Sequence, residues 1–322
     1  MEFAGRRISS WALAAVLTTG PLPALTEQDS SFVPSRGAYL GQSPPGLTPE
    51  IFAPGVISTE APEFHPAFSP DGKRIYFSRM DATFTSSILM MEETGDGWTA
   101  PITADFSGEF NDAAPFFSPD GSDLYFMSMR PRSGEAEPGP DAHLWKLSVE
   151  EIDLERPTYV GSPTGHTQGW WTARLHADGY FYFGCGALAK DLLRTRYADG
   201  SFDTPQSLGP VINDPDAVDV EPALAPDGSF IVFYSAGRPD QMGAGLVGDL
   251  YVSFRRLDDS WGPPINLGPE VNSESEENWP VISPDGRYLF FSSGRDDPNG
   301  FSDIFWVDLK AVTRLRNGSR PL

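Results

Sequence analysis

The sequence of 322 residues contains a single cysteine, Cys185, and only four histidines. One cysteine excludes an internal disulfide framework and a cysteine-rich metal site. Basic residues are also scarce, because 23 Lys and Arg stand against 45 Asp and Glu, which gives a net charge of −22. A chain this acidic repels nucleic acid and anionic lipid, so neither is expected as a partner.

The sequence also lacks an apolar segment long enough to span a bilayer. A short apolar stretch from Ile8 to Leu17 follows Arg6 and Arg7 and precedes a Pro-containing segment at 20–24. This order predicts a secretory signal peptide over residues 1–24, with a disordered cytoplasmic tail as the alternative. The mature protein is then expected in the periplasm or outside the cell, without membrane insertion. Residues 25–46 are polar and rich in Pro and Gly, which predicts a flexible linker before a folded domain at 47–322.

Glycine and proline, by contrast, are abundant, with 32 and 31 residues, and they favour short strands joined by tight turns. One turn motif, Ser-Pro-Asp-Gly or a variant of it, recurs along the chain. Its aspartates are Asp71, Asp120, Asp178, Asp227 and Asp285, separated by 49, 58, 49 and 58 residues. A period near 50 indicates stacked supersecondary units. Ser begins a type I turn, Pro presets φ and Gly takes the left-handed position, so each motif predicts a bulged hairpin turn.

Each turn is followed by consecutive apolar β-formers, as in Ile75-Tyr76-Phe77, which predicts a strand buried on both faces. A third strand and a Pro-bearing fourth strand come next, and Pro places the fourth strand at the sheet edge. Four-stranded antiparallel sheets repeated around an axis form a β-propeller, and five turns predict five blades. The last unit has only three strands. The segment from Phe52 to Ser58 resembles the ends of other outer strands, so an N-terminal strand is predicted to complete the last blade and close the ring.

The motif Pro-x-Phe-Ser-Pro-Asp-Gly, followed by Tyr-Phe-x-Ser and Asp-Ile-Phe, resembles the WD40-like repeat of TolB-type propellers over about residues 47–310. The resemblance implies an all-β, five-bladed propeller. It leaves the activity open, because the family includes binding and scaffolding modules, peptidase-associated propellers and a few polysaccharide lyases. Those lyases use a His-rich metal site, and the four histidines here share no ligand spacing, which counts against lyase activity.

The innermost strands of a propeller line its central channel, and here they precede the turns. The residues eight positions before the turn aspartates are Glu63, Asp112, Trp170, Asp219 and Glu277. The residues six positions before are His65, Ala114, Thr172, Glu221 and Trp279. In a regular strand, a spacing of two places both sets on one face. The sequence therefore predicts a ligand site at the channel mouth, formed by Glu63, His65, Asp112, Trp170, Asp219, Glu221 and Glu277.

The repeated acids admit two interpretations. As a functional ring they would act as acid and base in glycan cleavage, or bind Ca²⁺. As architecture they would pair with arginines that recur after the second strands, namely Arg79, Arg130, Arg238 and Arg295. A feature copied in four units is more typical of architecture, so ion pairs that set blade geometry are expected.

The third unit departs from the repeat, since Trp170 replaces the acid and Trp171, His166 and Arg174 lie close by in sequence. Exposed tryptophan rings are common platforms for sugars, although these two can also fill the core of a diverged blade. The acidic loops at 214–219 and 296–300 are candidates for Ca²⁺, without a standard ligand spacing. No other cofactor and no histidine metal site is expected.

These patterns together predict an exported, monomeric propeller that binds a protein or a glycan at its channel mouth without catalysis. Two alternatives stay open. One is a carbohydrate-active enzyme, a glycoside hydrolase or lyase, that uses the channel carboxylates. The other is a structural module that displays surface loops to a partner. Catalysis depends on whether two carboxylates meet without an arginine partner.

Overall fold

The computed structural model describes residues 32–33, 35–134, 137–139, 141–151, 156–163, 172–185, 189–297 and 301–318. These residues form five antiparallel sheets, the blades of a β-propeller, and contain little helix. The predicted fold class is confirmed. The predicted signal peptide, together with His166, Trp170, Trp171 and residues 298–300, lies outside the described residues.

The strands follow one another around the ring in chain order. Strand β1 is Glu50–Ile51. Blade 1 holds β2 (Glu63–Phe68), β3 (Arg74–Met80), β4 (Ser86–Thr94), β5 (Gly97–Trp98) and β6 (Ile102–Thr103). Blade 2 holds β7 (Asp112–Phe117), β8 (Asp123–Ser128), β9 (His143–Ser148) and β10 (Thr158–Gly161). Blade 3 holds β11 (Thr172–Leu175), β12 (Tyr180–Cys185), β13 (Ala189–Ala198), β14 (Ser201–Phe202) and β15 (Gln206–Ser207). Blade 4 holds β16 (Val218–Leu224), β17 (Phe230–Ala236), β18 (Asp249–Phe254) and β19 (Ile265–Asn266). Blade 5 holds β20 (Glu277–Ile282), β21 (Tyr288–Ser293) and β22 (Asp303–Asp308).

The ring closes where the sequence predicts. Strand β1 pairs with β22, with Glu50 opposite Trp306, and becomes the outermost strand of blade 5. The next residue, Phe52, is fully buried and contacts the rings of Phe290 and Trp306 in blade 5 and of Phe68 in blade 1. The first strand in the chain is therefore joined to the last blade, and it covers the edge that β22 would otherwise expose.

The repeated turns have the predicted backbone. Their glycines all lie in the left-handed region, with φ of 72° at Gly72, 75° at Gly121, 80° at Gly179, 70° at Gly228 and 66° at Gly286. In the Ser69 turn, the serine Oγ donates to Asp71 and accepts the backbone N–H of Arg74. The turn serine and aspartate thus replace ladder hydrogen bonds that the chain reversal removes.

Residues 35–46, which the sequence assigns to the linker, lie against blades 1 and 5. A 3₁₀ turn (Ala38–Gly41) places the ring of Tyr39 against Phe68, Tyr288 and Trp306. The Trp98 indole N–H donates to the carbonyl of Gly37. Three short helical segments complete the chain: a 3₁₀ turn (Val149–Glu151), a helix (Lys310–Thr313) and a 3₁₀ turn (Arg314–Asn317). Within the described chain, no helix combines the length and apolar character that crossing a bilayer requires.

Candidate ligand site in the axial channel

Antiparallel connectivity divides the propeller into two ends. The inner strands β2, β7, β11, β16 and β20 all begin at one end, here called the upper end, and run to the Pro-Asp-Gly turns at the other. The loops between second and third strands also lie at the upper end. The predicted site residues start the inner strands, so the candidate site is the upper part of the channel.

Four of the predicted acids are fully buried, and each pairs with an arginine of its own blade. The pairs are Glu63–Arg79 at 2.7 Å, Asp112–Arg130 at 3.0 Å, Asp219–Arg238 at 2.8 Å and Glu277–Arg295 at 2.9 Å. The predicted ion pairs are confirmed. The four carboxylates lie in separate blades, and each is held by the arginine of its own blade rather than by another acid.

Each arginine also fastens the loop that enters its blade. The guanidinium groups donate to the carbonyls of Ile57, Phe106, Ile212 and Val271, which lie just ahead of the inner strands. On the other side, Glu63 accepts hydrogen bonds from the backbone and hydroxyl of Thr59. Burial raises the pKa of Glu63 to about 7, while Arg79 and Thr59 oppose the rise. These buried pairs therefore set the position of the inter-blade loops.

The predicted strand alternation is wrong at the next position. In four inner strands a β-bulge follows the acid, and the residue six positions before the turn aspartate is left-handed. The φ angles are 52° at His65, 55° at Ala114, 58° at Glu221 and 51° at Trp279. Positive φ is costly for residues with a side chain, and such strain is typical of positions that the surrounding structure holds for a purpose. The bulge separates these side chains from the buried acids that precede them.

Three of the four bulged residues, each from a different blade, come together. The His65 and Trp279 rings lie 5.0 Å apart, and the Trp279 backbone N–H donates to Glu221 at 2.7 Å. The structure thus brings two predicted site residues, His65 and Glu221, into one cluster. It adds Trp279, and it adds Arg174, whose guanidinium stands over the Phe116 ring at 5.5 Å. We name His65, Arg174, Glu221 and Trp279 the axial cluster.

Sequence comparison within the repeat contained a signal for Arg174. The residue four positions before the turn aspartate is apolar in the other repeats: Ala67, Phe116, Ala223 and Val281. Strand β11 has no bulge, so Thr172 and Arg174 share one face while Ala173 packs into the core. An arginine at a position that is otherwise apolar is the kind of departure that marks a site. Trp170 is outside the described residues, and its place at the mouth stays a prediction.

Burial shifts the pKa values of the ionisable side chains in the axial cluster. Burial raises the pKa of Glu221 to about 8, an effect that Glu276 reinforces and Arg174 opposes. Glu276, whose pKa burial also raises, accepts a hydrogen bond from Tyr234 at 2.7 Å. Burial lowers the pKa of Arg174 to about 10, which leaves it cationic near neutral pH. Burial, with Arg174 nearby, holds the pKa of His65 well below its usual value, so His65 is neutral.

Replacing Glu221 by Gln should change how stability depends on pH. The pKa of Glu221 is higher in the folded chain than in the unfolded chain, so folded protein binds more protons and loses stability as pH rises toward 8. The effect is about 1.4 kcal/mol per unit of pKa difference. We expect Glu221→Gln to gain in melting temperature over the wild type as pH increases from about 6.5 to 8.5.

Comparing the two proteins at each pH cancels groups that titrate in both. His65 does not disturb the comparison, because a histidine is mostly neutral above about pH 6.5 in the unfolded chain as well. Melting curves by circular dichroism give the difference directly. A difference that stays constant over this range would show that Glu221 does not titrate there.

Among the described residues, no group of three or more His, Cys, Asp or Glu side chains is arranged to hold a metal ion. In the acidic loop at 214–219, Asp219 is engaged by Arg238 and by the backbone N–H of Asp214. Calcium binding by this loop, and by the partly described loop at 296–300, stays a prediction.

Comparison with known proteins supports the fold. No protein-family model matches the sequence, and no curated protein does. The putative TolB from Agrobacterium tumefaciens is 18% identical, over 79% of this chain and 79% of that one, with a TM-score of 0.50. The catalytic domain of the GH62 alpha-L-arabinofuranosidase from Coprinopsis cinerea is 12% identical, over 81% and 97%, with a TM-score of 0.51.

TolB from Acinetobacter baumannii is 17% identical over 78% of this chain, with a TM-score of 0.48, and the chain spans about 55% of its length. The predicted likeness to TolB-type propellers is confirmed for the fold. Identities this low do not transfer a ligand or a reaction. Because a putative TolB and the catalytic domain of a glycosidase are both similar in fold to this chain, the function has to come from this chain's own residues.

Proposed function

We propose that the protein is a monomeric, exported binding module whose ligand, a protein segment or a glycan, enters the upper end of the axial channel. The main support for the proposal is that the predicted acids fall into two groups, one paired with arginines and one not. Four carboxylates are held by arginines and fasten the blades, which leaves Glu221 as the predicted site carboxylate without an arginine bond among the described residues. Beside it lie a tryptophan face and a buried histidine.

Such a lining suits binding. Trp279 is half-buried and presents an aromatic surface, while His65 and Glu221 provide polar groups for orientation. Two exposed apolar residues, Phe84 in blade 1 and Leu246 in blade 4, lie on loops at the same upper end of the propeller. Export to the periplasm or outside the cell is proposed from the basic and apolar start of residues 1–24. The net charge of −22 argues against a nucleic acid ligand.

Trp279→Ala should weaken or abolish binding of the channel ligand, because it removes the aromatic wall next to His65. Ligands are sought on a glycan array and in a peptide library with the purified protein. Losing a stacked aromatic ring from a binding site typically costs at least about tenfold in affinity. Trp170→Ala is measured alongside, since the sequence places Trp170 at the same mouth.

The matched control is Leu257→Ala. Leu257 is a fully exposed apolar residue in the hairpin between β18 and β19, at the opposite end of the propeller. A ligand of the channel should bind this variant like the wild type. Thermal melts of all variants separate lost binding from lost folding. Ligands that bind Trp279→Ala and wild type equally would place the binding site outside the channel.

A second candidate function is carbohydrate cleavage by Glu221 and Glu276. The observation in its favour is that these neighbouring acids both have raised pKa values and neither forms an ion pair with an arginine among the described residues. A protonated and an ionised carboxyl group together are the requirement for glycoside hydrolysis. An oligosaccharide that binds on the glycan array is incubated with the wild type and with Glu221→Gln. Hydrolysis by the wild type that Glu221→Gln abolishes would favour the enzyme. Binding without hydrolysis favours the binding module.

A further inference from the structure

We propose that the centre of the propeller binds a carboxylate group, held by the guanidinium of Arg174. The inference rests on the proposed function, because it names the chemical group that a channel ligand would present. It concerns a residue outside the repeated ion pairs and outside the set of site residues that the sequence predicts.

The side chain of Arg174 lies near inner-strand residues of three other blades. It projects from the inner strand of blade 3 and stands over Phe116 of blade 2 at 5.5 Å. It is also close enough to influence the titration of His65 in blade 1 and of Glu221 in blade 4. A group that interacts with three other blades lies near the axis. Arg174 as a whole residue is half-buried, as expected for a residue that lines a channel.

Arg174 is cationic and has no counter-charge in contact. Among the described residues it forms no ion pair, and its hydrogen bond runs from Nη1 to the carbonyl of Ala173 at 2.9 Å. The four repeated arginines at the ends of the second strands, by contrast, each hold a carboxylate. A guanidinium has more N–H donors than this one bond uses. Burying a cation without a partner is costly, which favours a role for the uncommitted donors.

Two polar side chains near Arg174 also lack hydrogen-bond partners among the described residues. His65 is only 4% exposed, yet neither of its ring nitrogens has a hydrogen-bond partner. The hydroxyl of Thr172, on the same face of β11 as Arg174, also has none. A histidine N–H, a hydroxyl and a guanidinium can all donate hydrogen bonds to an anionic oxygen. Trp279 completes the surroundings with an apolar wall 5.0 Å from His65.

Charge balance selects a single negative charge. His65 is neutral and burial favours the protonated form of Glu221, so the guanidinium of Arg174 supplies the positive charge of the axial cluster. A monovalent anion neutralises it. A divalent phosphate would leave excess negative charge beside Glu221 and Glu276. The planar fork of the guanidinium matches a carboxylate in two parallel hydrogen bonds, which a spherical anion cannot form.

The carboxylate can come from a free organic acid or from an acidic side chain of a partner protein, and one experiment separates these sources. Calorimetric titration of the full-length protein uses sodium acetate, and a capped Gly-Asp-Gly peptide with capped Gly-Asn-Gly as its uncharged match. Sodium chloride at equal ionic strength is the control anion. We expect saturable binding of acetate or of the Asp peptide, reduced about tenfold or more in Arg174→Gln. The stronger of the two probes identifies the source.

Folding of the variant is checked by melting. Arg174→Gln should melt at or above the wild-type temperature, because it removes a partly buried cation that no carboxylate among the described residues contacts. A solely structural role for Arg174 would instead lower the melting temperature. Should Arg174→Gln not fold, Arg174→Lys keeps the charge but not the fork. It should then lose affinity for the carboxylate probe and leave any weak chloride effect unchanged.

Three results would overturn the inference: no carboxylate response in the wild type, an equal response to chloride, or full binding by Arg174→Gln. None of these by itself removes the proposed function. A channel ligand that Trp279→Ala loses and Arg174→Gln retains would refute the carboxylate and keep the binding module. If no ligand depends on either residue, the proposed function fails as well.

Discussion

Phe52→Ala is expected to lower the free energy of unfolding by about 3–5 kcal/mol, the range for removing a buried phenylalanine ring from a core. Phe52 is 0% exposed and packs against Phe290, Trp306 and Phe68, with ring centroids 5.1, 5.2 and 6.0 Å away. Those rings belong to blades 5 and 1, so the loss falls on the joint that closes the propeller. Urea or thermal unfolding of the purified protein measures it.

Leu257→Ala is the control, because this exposed side chain should change stability by less than about 0.5 kcal/mol. A deletion of residues 47–60 removes β1 together with Phe52 and leaves the edge of β22 unpaired. It should therefore cause a larger loss than the point change, accompanied by aggregation. Unchanged unfolding of Phe52→Ala would mean that the joint contributes little and that ring closure is held elsewhere.

The repeated parts of the fold are readable from sequence because each is local. Ser, Pro, Asp and Gly specify one turn through their own backbone preferences, and Gly121 adopts its predicted left-handed conformation with φ of 75°. The closing strand is also predictable, since Phe52 to Ser58 repeats a pattern that elsewhere follows an outer strand. An acid and an arginine recur at similar positions in the repeats, as in Asp112 and Arg130, and this recurrence predicts an ion pair.

The site is less predictable because it depends on departures from regular geometry. The bulge at His65 occurs at a residue with positive φ in front of Pro66, and no intrinsic preference of histidine indicates it. Without the bulge, alternation wrongly assigns Glu63 and His65 to one face. Arg174 differs from its repeat counterparts in sequence, but its reach to the axis follows from the positions of three other blades. The contact of Tyr39 with blade 5 likewise depends on tertiary structure and not on local sequence.

Arg130→Met is expected to lower the free energy of unfolding by about 3–5 kcal/mol, because it leaves a buried carboxylate unpaired. Asp112 is 0% exposed, and it loses the 3.0 Å bond from Arg130 while keeping the 2.9 Å bond from Ser107. Burial already raises the pKa of Asp112, with Arg130 as the main opposing influence. Without Arg130 that pKa rises further, so the destabilisation should shrink as pH falls from about 8 to 5.

The double variant Asp112→Leu with Arg130→Met tests whether the pair acts as a unit. Replacing both members of a buried ion pair by apolar residues is often nearly neutral, so the double variant should be more stable than Arg130→Met alone. Blade 3 already carries such a change in its sequence, because Trp170 stands at the acid position and Leu188 and Ala189 at the arginine positions. The absence of both the acid and the arginine from blade 3 is expected if each is needed only when the other is present. Additive costs for the two substitutions, with no dependence on pH, would show instead that Arg130 stabilises blade 2 through its bond to the Phe106 carbonyl and its contact with Phe126.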